Sequence, residues 1–152
     1  MTYQGHDDLD NAIKCVKKQL LIFEELKRTK TLEYVQCLSF IGEMYRDQEM
    51  TAEAIGALEK AIDIHEQITN KETSGTRVLS MVSALSVVPV DLERTQIMKM
   101  LAEEQIKAGN IKDGIDVARQ ALFTQQNFFH GMVNAQVQET MLLLAEALTV
   151  DF

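Results

Sequence analysis

The sequence predicts an all-α fold for this chain of 152 residues. A single proline and seven glycines supply few of the turns that an all-β fold requires. Leu, Ala, Glu, Lys, Gln and Met dominate the composition, and all of them are good helix formers. The apolar content of 46% is sufficient for one domain with a substantial core, and we expect residues 1–152 to form a single domain.

Apolar periodicity and turn signals place seven helices along the chain, at about 8–28, 31–47, 51–69, 75–88, 92–108, 111–127 and 130–149. The fourth is an irregular extra helix, which follows a break at Ser74-Gly75 and ends at Pro89. Its segment "SMVSALSVV" has only serine as a polar residue, so we expect this helix to be mostly buried.

Three of the predicted helices contain an internal repeat. The segments "AIKCVKKQLLIFEEL", "AIGALEKAIDIHEQI" and "GIDVARQALFTQQNF" align without gaps, and their apolar residues recur at helical spacings of three and four. A small residue opens each segment: Ala12, Ala54 and Gly114. A small side chain at this position allows a preceding antiparallel helix to approach closely.

The helices before these segments also correspond to one another. Each has a large apolar residue followed by a small one, in the pairs Ile41-Gly42, Leu101-Ala102 and Leu144-Ala145. We therefore expect the contacts Gly42/Ala54 and Ala102/Gly114 between successive helices.

These residues resemble the tetratricopeptide repeat, a helix–turn–helix unit of about 34 residues. The stretch "LSFIGEMYRDQEMTAEAIGALEKA" follows the family pattern well, and "MKMLAEEQIKAGNIKDGIDVARQA" follows it with Gln105 in place of tyrosine. The tyrosine slots, at positions 3, 45, 105 and 148, are 42, 60 and 43 residues apart. Such spacings are similar to those of the long-helix repeats of kinesin light chains and spindle-orientation scaffolds. The resemblance implies a superhelix of antiparallel helix pairs; the alternative is a generic helical bundle.

The repeat pattern is incomplete at both ends of the sequence. Residues 1–4 resemble the last turn of a first helix, and residues 150–152 stop where a second helix is expected. Terminal repeats normally carry a polar cap. We therefore expect a fragment of a longer array, or a chain that completes itself against a partner or a second copy.

In the resembling family, the first helix of each pair lines a concave groove that binds protein segments. The alignment places these residues in the groove: Gln36, Ser39, Phe40, Glu43, Arg46, Gln96, Lys99, Met100, Glu103, Ile106, Glu139, Leu142 and Glu146.

Acidic residues fill three equivalent groove positions, Glu43, Glu103 and Glu146. The family's clamp for a C-terminal carboxylate has asparagine at this position, so these carboxylates argue against that ligand. They form instead a candidate acidic stripe for a basic or amphipathic partner segment. The alternative is ordinary surface pairing, of Glu43 with Arg46 and of Lys99 with Glu103.

The favoured function is a non-catalytic scaffold that binds a protein or peptide through the groove or the open repeat ends. The alternative is a regulator that closes on a short signalling peptide. An all-α enzyme is the weakest interpretation, because the sequence has no nucleophile triad, HExxH, glycine-rich phosphate loop or CxxC. We predict no cofactor and no metal site: His6 next to Asp7 and Asp8 is a weak ligand set.

Charge and hydropathy restrict the partners. The net charge is −8 without a basic cluster, which argues against nucleic acid and anionic membranes. There is no signal peptide, and the apolar stretch before Pro89 is too short to span a bilayer. We expect a cytoplasmic protein, with Cys15 and Cys37 reduced and packed in the core rather than joined in a disulfide.

Several apolar residues have two interpretations. Phe128 and Phe129 either join the last two helices or form an exposed anchor for a partner. The methionines, Met132 and Met141 among them, are predicted to fill the core rather than a binding surface. His65 aligns with Phe23, so we expect its ring to be partly buried.

Overall fold

The computed structural model describes residues 3–75, 90–132 and 134–150. These residues form six helices and no strand: α1 (Tyr3–Glu25), α2 (Leu32–Asp47), α3 (Thr51–Gly75), α4 (Val90–Lys107), α5 (Ile111–Phe128) and α6 (Ala135–Val150). The all-α prediction is confirmed. The predicted extra helix at 75–88 lies outside the described residues, except for Gly75, which ends α3.

The chain divides into two compact units, Met1–Asn70 and Lys71–Phe152. Unit one contains α1, α2 and most of α3, and unit two contains α4, α5 and α6. The expectation of a single domain over residues 1–152 stays a prediction.

Four helices end in the same backbone motif, with one residue in the left-handed region. These residues are Lys27, Glu49, Gly109 and His130, with φ between 52° and 89°. At the end of α2, the Met50 amide donates to the Tyr45 carbonyl at 2.9 Å, and the Glu49 amide donates to the Arg46 carbonyl at 3.0 Å. This pair of hydrogen bonds defines the Schellman motif, which satisfies the last carbonyl groups of a helix.

Side-chain caps fix two helix starts. The Thr31 hydroxyl accepts a hydrogen bond from the Tyr34 amide at 3.3 Å, and the Asn134 side chain accepts one from the Val137 amide at 3.0 Å. The prediction that the last helix begins at residue 130 is wrong. His130 and Gly131 both have positive φ, so the chain turns there before Asn134 starts α6.

The core of unit one lies between α1 and α2. Ile13 and Val16 of α1 pack with Ile41 and Met44 of α2. The repeat alignment predicted these apolar positions on α1 and α2. Cys15, in contrast, is exposed, and its predicted place in the core is wrong. A residue two positions from Ile13 lies about 200° around the helix, on the opposite face.

The packing of α3 on α2 takes place at the predicted small residue. A Cβ atom added to Gly42 would lie 2.9 Å from Leu58 Cγ and 3.6 Å from the carbonyl oxygen of Ala54. Only a glycine fits here without a shift, so the two helices approach to backbone contact.

A polar cluster joins all three helices of unit one. The Tyr34 hydroxyl of α2 donates to Glu24 Oε1 of α1 at 3.2 Å. Lys60 of α3 lies 4.0 Å from the same carboxylate oxygen and 5.5 Å from the centre of the Tyr34 ring. Tyr34 itself is buried, and so is His65, which sequence alignment predicted to be only partly buried.

Unit two repeats the close contact between paired helices. A Cβ atom on Gly114 of α5 would lie 3.0 Å from the carbonyl oxygen of Ala102 of α4. Ala102 also belongs to a core cluster with four residues of α5 and α6: Ile115, Ala118, Leu144 and Ala147. The two predicted contacts, Gly42/Ala54 and Ala102/Gly114, are confirmed.

A buried hydrogen bond links α5 to α6. The Thr140 hydroxyl donates to Gln125 Oε1 at 2.8 Å, and both side chains are buried. Because a buried polar group without a partner is costly, this bond fixes how α5 and α6 pack.

Candidate functional site

The predicted groove residues of unit two come from α4 and α6. Lys99 Nζ of α4 forms an ion pair with Glu139 Oε2 of α6. This ion pair brings together two helices that are each the first of a helix pair in the repeat alignment. Together their side chains form a surface, here called the α4–α6 surface.

Most predicted residues on the α4–α6 surface are accessible. Gln96, Glu139, Leu142 and Glu146 are exposed, and Lys99, Met100 and Glu103 are half-buried. Ile106 is the exception, because its side chain packs on the core cluster of unit two and lies against Gly114. The groove position predicted for Ile106 is therefore wrong.

The predicted groove residues of unit one lie on α2. Gln36 and Phe40 line an apolar groove between α1 and α2, together with Val16, Gln19, Glu33 and Cys37. Phe40 is 53% exposed, which is unusual for a phenylalanine. The remaining three predicted residues are Ser39 and Arg46, which are half-buried, and Glu43, which is exposed.

One titratable group has a shifted pKa in this groove. Burial raises the pKa of the Cys37 thiol above its ordinary value. Its Sγ atom lies 3.8 Å from Gln19 Oε1, to which the thiol donates. A protonated thiol is a poor nucleophile and a poor metal ligand, so the groove has the chemistry of an apolar contact surface.

The predicted acidic residues are divided between the two units. Glu43 is exposed in unit one, and Glu103 and Glu146 are half-buried and exposed in unit two. The ion pair of Lys99 with Glu139 was not predicted, because the two residues are 40 positions apart and no short-range pattern connects them. The pairs Glu43/Arg46 and Lys99/Glu103 stay predictions.

A further apolar surface lies on α6. Gln138, Met141, Leu142 and Ala145 line a shallow groove, of which only Leu142 was among the predicted residues. Met141 is 45% exposed, and Met132 is exposed in the turn before α6. The prediction that these two methionines fill the core is therefore wrong.

The aromatic turn between α5 and α6 is partly accessible. The rings of Phe128 and Phe129 meet edge to face, with their centres 5.0 Å apart. Phe128 is exposed and Phe129 is half-buried.

Comparison with known families decides the relationship of the first unit. The tetratricopeptide repeat family model matches residues 1–67. Residues 1–67 belong to the tetratricopeptide repeat family. Among curated proteins, none matches the chain. The match covers α1, α2 and most of α3, which include the contact between Gly42 and Leu58.

Tetratricopeptide repeats are generally protein–protein interaction modules and typically non-catalytic, so the family implies protein partners. The long-helix variety inferred from the spacing of the tyrosine slots stays a prediction. Within the described ranges, every helix falls short of the length and apolar character that crossing a bilayer requires.

Proposed function

We propose that this tetratricopeptide repeat chain is a non-catalytic scaffold that binds a basic or amphipathic segment of another protein. The α4–α6 surface and the face of α2 that carries Gln36, Phe40 and Glu43 supply the contacts. The observation that supports the proposal most is the accessible row of α4 and α6 side chains on either side of the pair Lys99–Glu139.

The charges of the α4–α6 surface favour a basic segment. Glu103, Glu139 and Glu146 contribute three carboxylates, and among the predicted residues of this surface Lys99 is the only base. Lys99 is engaged by Glu139, which leaves the surface acidic. Complementary charge raises association rates and disfavours acidic partners.

Apolar residues next to these charges favour an amphipathic segment. Phe40 is exposed beside the α1–α2 groove, and Leu142 is exposed beside Glu139 and Glu146. Exposed aromatic and aliphatic side chains within a charged border are typical of protein-binding surfaces.

Peptide binding tests the proposal. The probe is an 18-residue synthetic helical peptide with a leucine stripe bordered by lysines, and its fluorescence anisotropy is titrated with the protein. Glu103→Lys and Glu43→Lys should each weaken binding about three- to ten-fold at low salt, because each replaces an attraction with a repulsion.

The matched control is Asp116→Lys. Asp116 is exposed on α5 and away from the predicted groove positions, and its reversal changes the net charge equally. If Asp116→Lys weakens binding as much as Glu103→Lys does, only the overall charge matters and the acidic surface is not the site.

A further inference from the structure

The outer face of α6, defined as Gln138, Met141, Ala145 and Leu148, differs from the equivalent faces of α2 and α4. The repeat register aligns Ala145 with Gly42 of α2 and with Ala102 of α4. Gly42 and Ala102 are buried, whereas Ala145 is exposed.

The difference extends along the whole helix. In α2 the residues equivalent to Gln138 and Met141 are Val35 and Leu38, and both are buried. In α4 the equivalents of Gln138, Met141 and Leu148 are all buried: Thr95, Met98 and Gln105. On α6, Met141 is 45% exposed and Leu148 is 40% exposed.

The opposite face of α6 is packed as expected. Val137, Thr140, Leu144 and Ala147 are all buried. The exposure of the outer face is therefore confined to one side of a well-packed helix.

The element that covers the small residue in the two other pairs is known. Gly42 meets Leu58 and the Ala54 carbonyl of α3, and Ala102 meets Gly114 of α5. In both cases a helix crosses at the small residue and brings a small residue of its own. The register of α6 therefore presents a seat for one more helix, centred on Ala145.

The charges of α6 indicate the chemistry of that helix. Its only ionisable residues are Glu139 and Glu146, and both are exposed on the row next to the apolar one. A helix with lysine or arginine on the border of its apolar stripe complements this row.

A second copy of α6 is a poor occupant. In an antiparallel pair about a two-fold axis between Leu142 and Leu143, Glu139 of each helix lies opposite Glu146 of the other. Like charges in opposed positions are destabilising, and α6 has no basic residue to offset them.

We infer that the outer face of α6 binds an amphipathic helix of a partner protein, with a small residue at the crossing point and basic residues at its border. The inference rests on the proposed function and assigns it to a defined face.

The binding experiment uses the full chain and two 18-residue peptides. The first is the lysine-bordered peptide with one alanine at the middle of its leucine stripe. The second is identical except that glutamates replace the lysines. We expect the lysine peptide to bind at least about ten-fold more tightly at low salt, because the α6 charges repel the other.

The decisive variant is Met141→Gln combined with Ala145→Gln. Both side chains are exposed, so the fold is retained, and circular dichroism verifies this. Affinity for the lysine peptide should fall at least about ten-fold, because apolar contact area is lost at the centre of the face. The matched control, Phe123→Gln with Met132→Gln, removes exposed apolar side chains elsewhere on unit two and should leave affinity within about two-fold.

The outcomes separate the two proposals. If Glu103→Lys weakens binding and the α6 variant does not, the inference about α6 is overturned and the proposed function stands. If neither peptide binds, both are overturned. Equal binding of the two peptides contradicts the basic partner. A dimer seen by light scattering that the α6 variant dissociates shows that a second copy covers the face, and also overturns the inference.

Discussion

Gly42 lies directly against Leu58, so that a Cβ atom at residue 42 would be 2.9 Å from both Cγ and Cδ2 of the leucine. Leu58 is buried and cannot turn away from such an atom without disturbing its neighbours. The absence of a side chain at one position therefore sets the approach of α3 to α2.

Gly42→Ala should destabilise unit one, because the added methyl group overlaps with Leu58. The control is Gly56→Ala on α3, where a Cβ atom meets nothing within 4 Å. Both variants gain about 0.5–1 kcal/mol of helix propensity. The difference between their free energies of unfolding isolates the overlap, which we expect to be about 1–3 kcal/mol in chemical denaturation. Equal stability of the two alanine variants would show that α2 and α3 are not in close contact at residue 42.

Glu49→Gly should stabilise the turn between α2 and α3. Glu49 has a φ of 58°, and the aligned residue in unit two is Gly109, with a φ of 89°. A left-handed conformation costs an L-residue about 1–2 kcal/mol, and the greater entropy of glycine in the unfolded chain offsets part of this gain. We expect a net increase of about 0.5–1 kcal/mol in the free energy of unfolding.

The reciprocal control is Gly109→Ala, which should lower the free energy of unfolding, since alanine is strained at a φ of 89°. A loss of stability in Glu49→Gly would contradict the assigned turn geometry. Urea unfolding of both variants provides the comparison.

The sequence predicts the close helix contacts well. Gly42 and Ala102 follow large apolar residues in aligned segments, and the small residues Ala54 and Gly114 recur at a fixed distance after them. Such contacts depend on local periodicity, which one sequence contains in full. The same periodicity already places Cys15 opposite Ile13 on α1, so its exposure was predictable.

Contacts between distant segments were less accessible. The partner of Lys99 depends on how α4 and α6 are placed by the packing of α5 between them in sequence, and no pattern near Lys99 points to Glu139. The exposure of Met141 and Ala145 was also hidden, because their residue types match those of buried positions in α2 and α4. Sequence alone identifies such a face but does not show whether it is covered.

Thr140→Val should destabilise the packing of α5 on α6. The substitution keeps the shape of the side chain but removes the hydroxyl that donates to Gln125 Oε1. The amide oxygen is then buried without this donor, which should lower the free energy of unfolding by about 1–3 kcal/mol. Thr140→Ser keeps the hydroxyl and is the conservative control.

A double-mutant cycle separates the hydrogen bond from the packing. Thr140→Val combined with Gln125→Leu removes both polar partners, so the double variant should be more stable than the sum of the single effects predicts, by about 0.5–3 kcal/mol. Strict additivity would indicate that the two side chains act independently.

The two cysteines should differ in reactivity towards a thiol reagent such as a disulfide chromophore at pH 8. Cys15 is exposed, whereas Cys37 is half-buried and burial raises the pKa of its thiol. The raised pKa lowers the thiolate fraction at any given pH, and the thiolate is the reactive form. Native protein should therefore show a fast phase from Cys15 and a slower one from Cys37. Cys15→Ser should abolish the fast phase and Cys37→Ser the slow one, and in denaturant the two rates should converge. A Cys37 rate equal to that of Cys15 in the native protein would contradict the burial of Cys37 between α1 and α2.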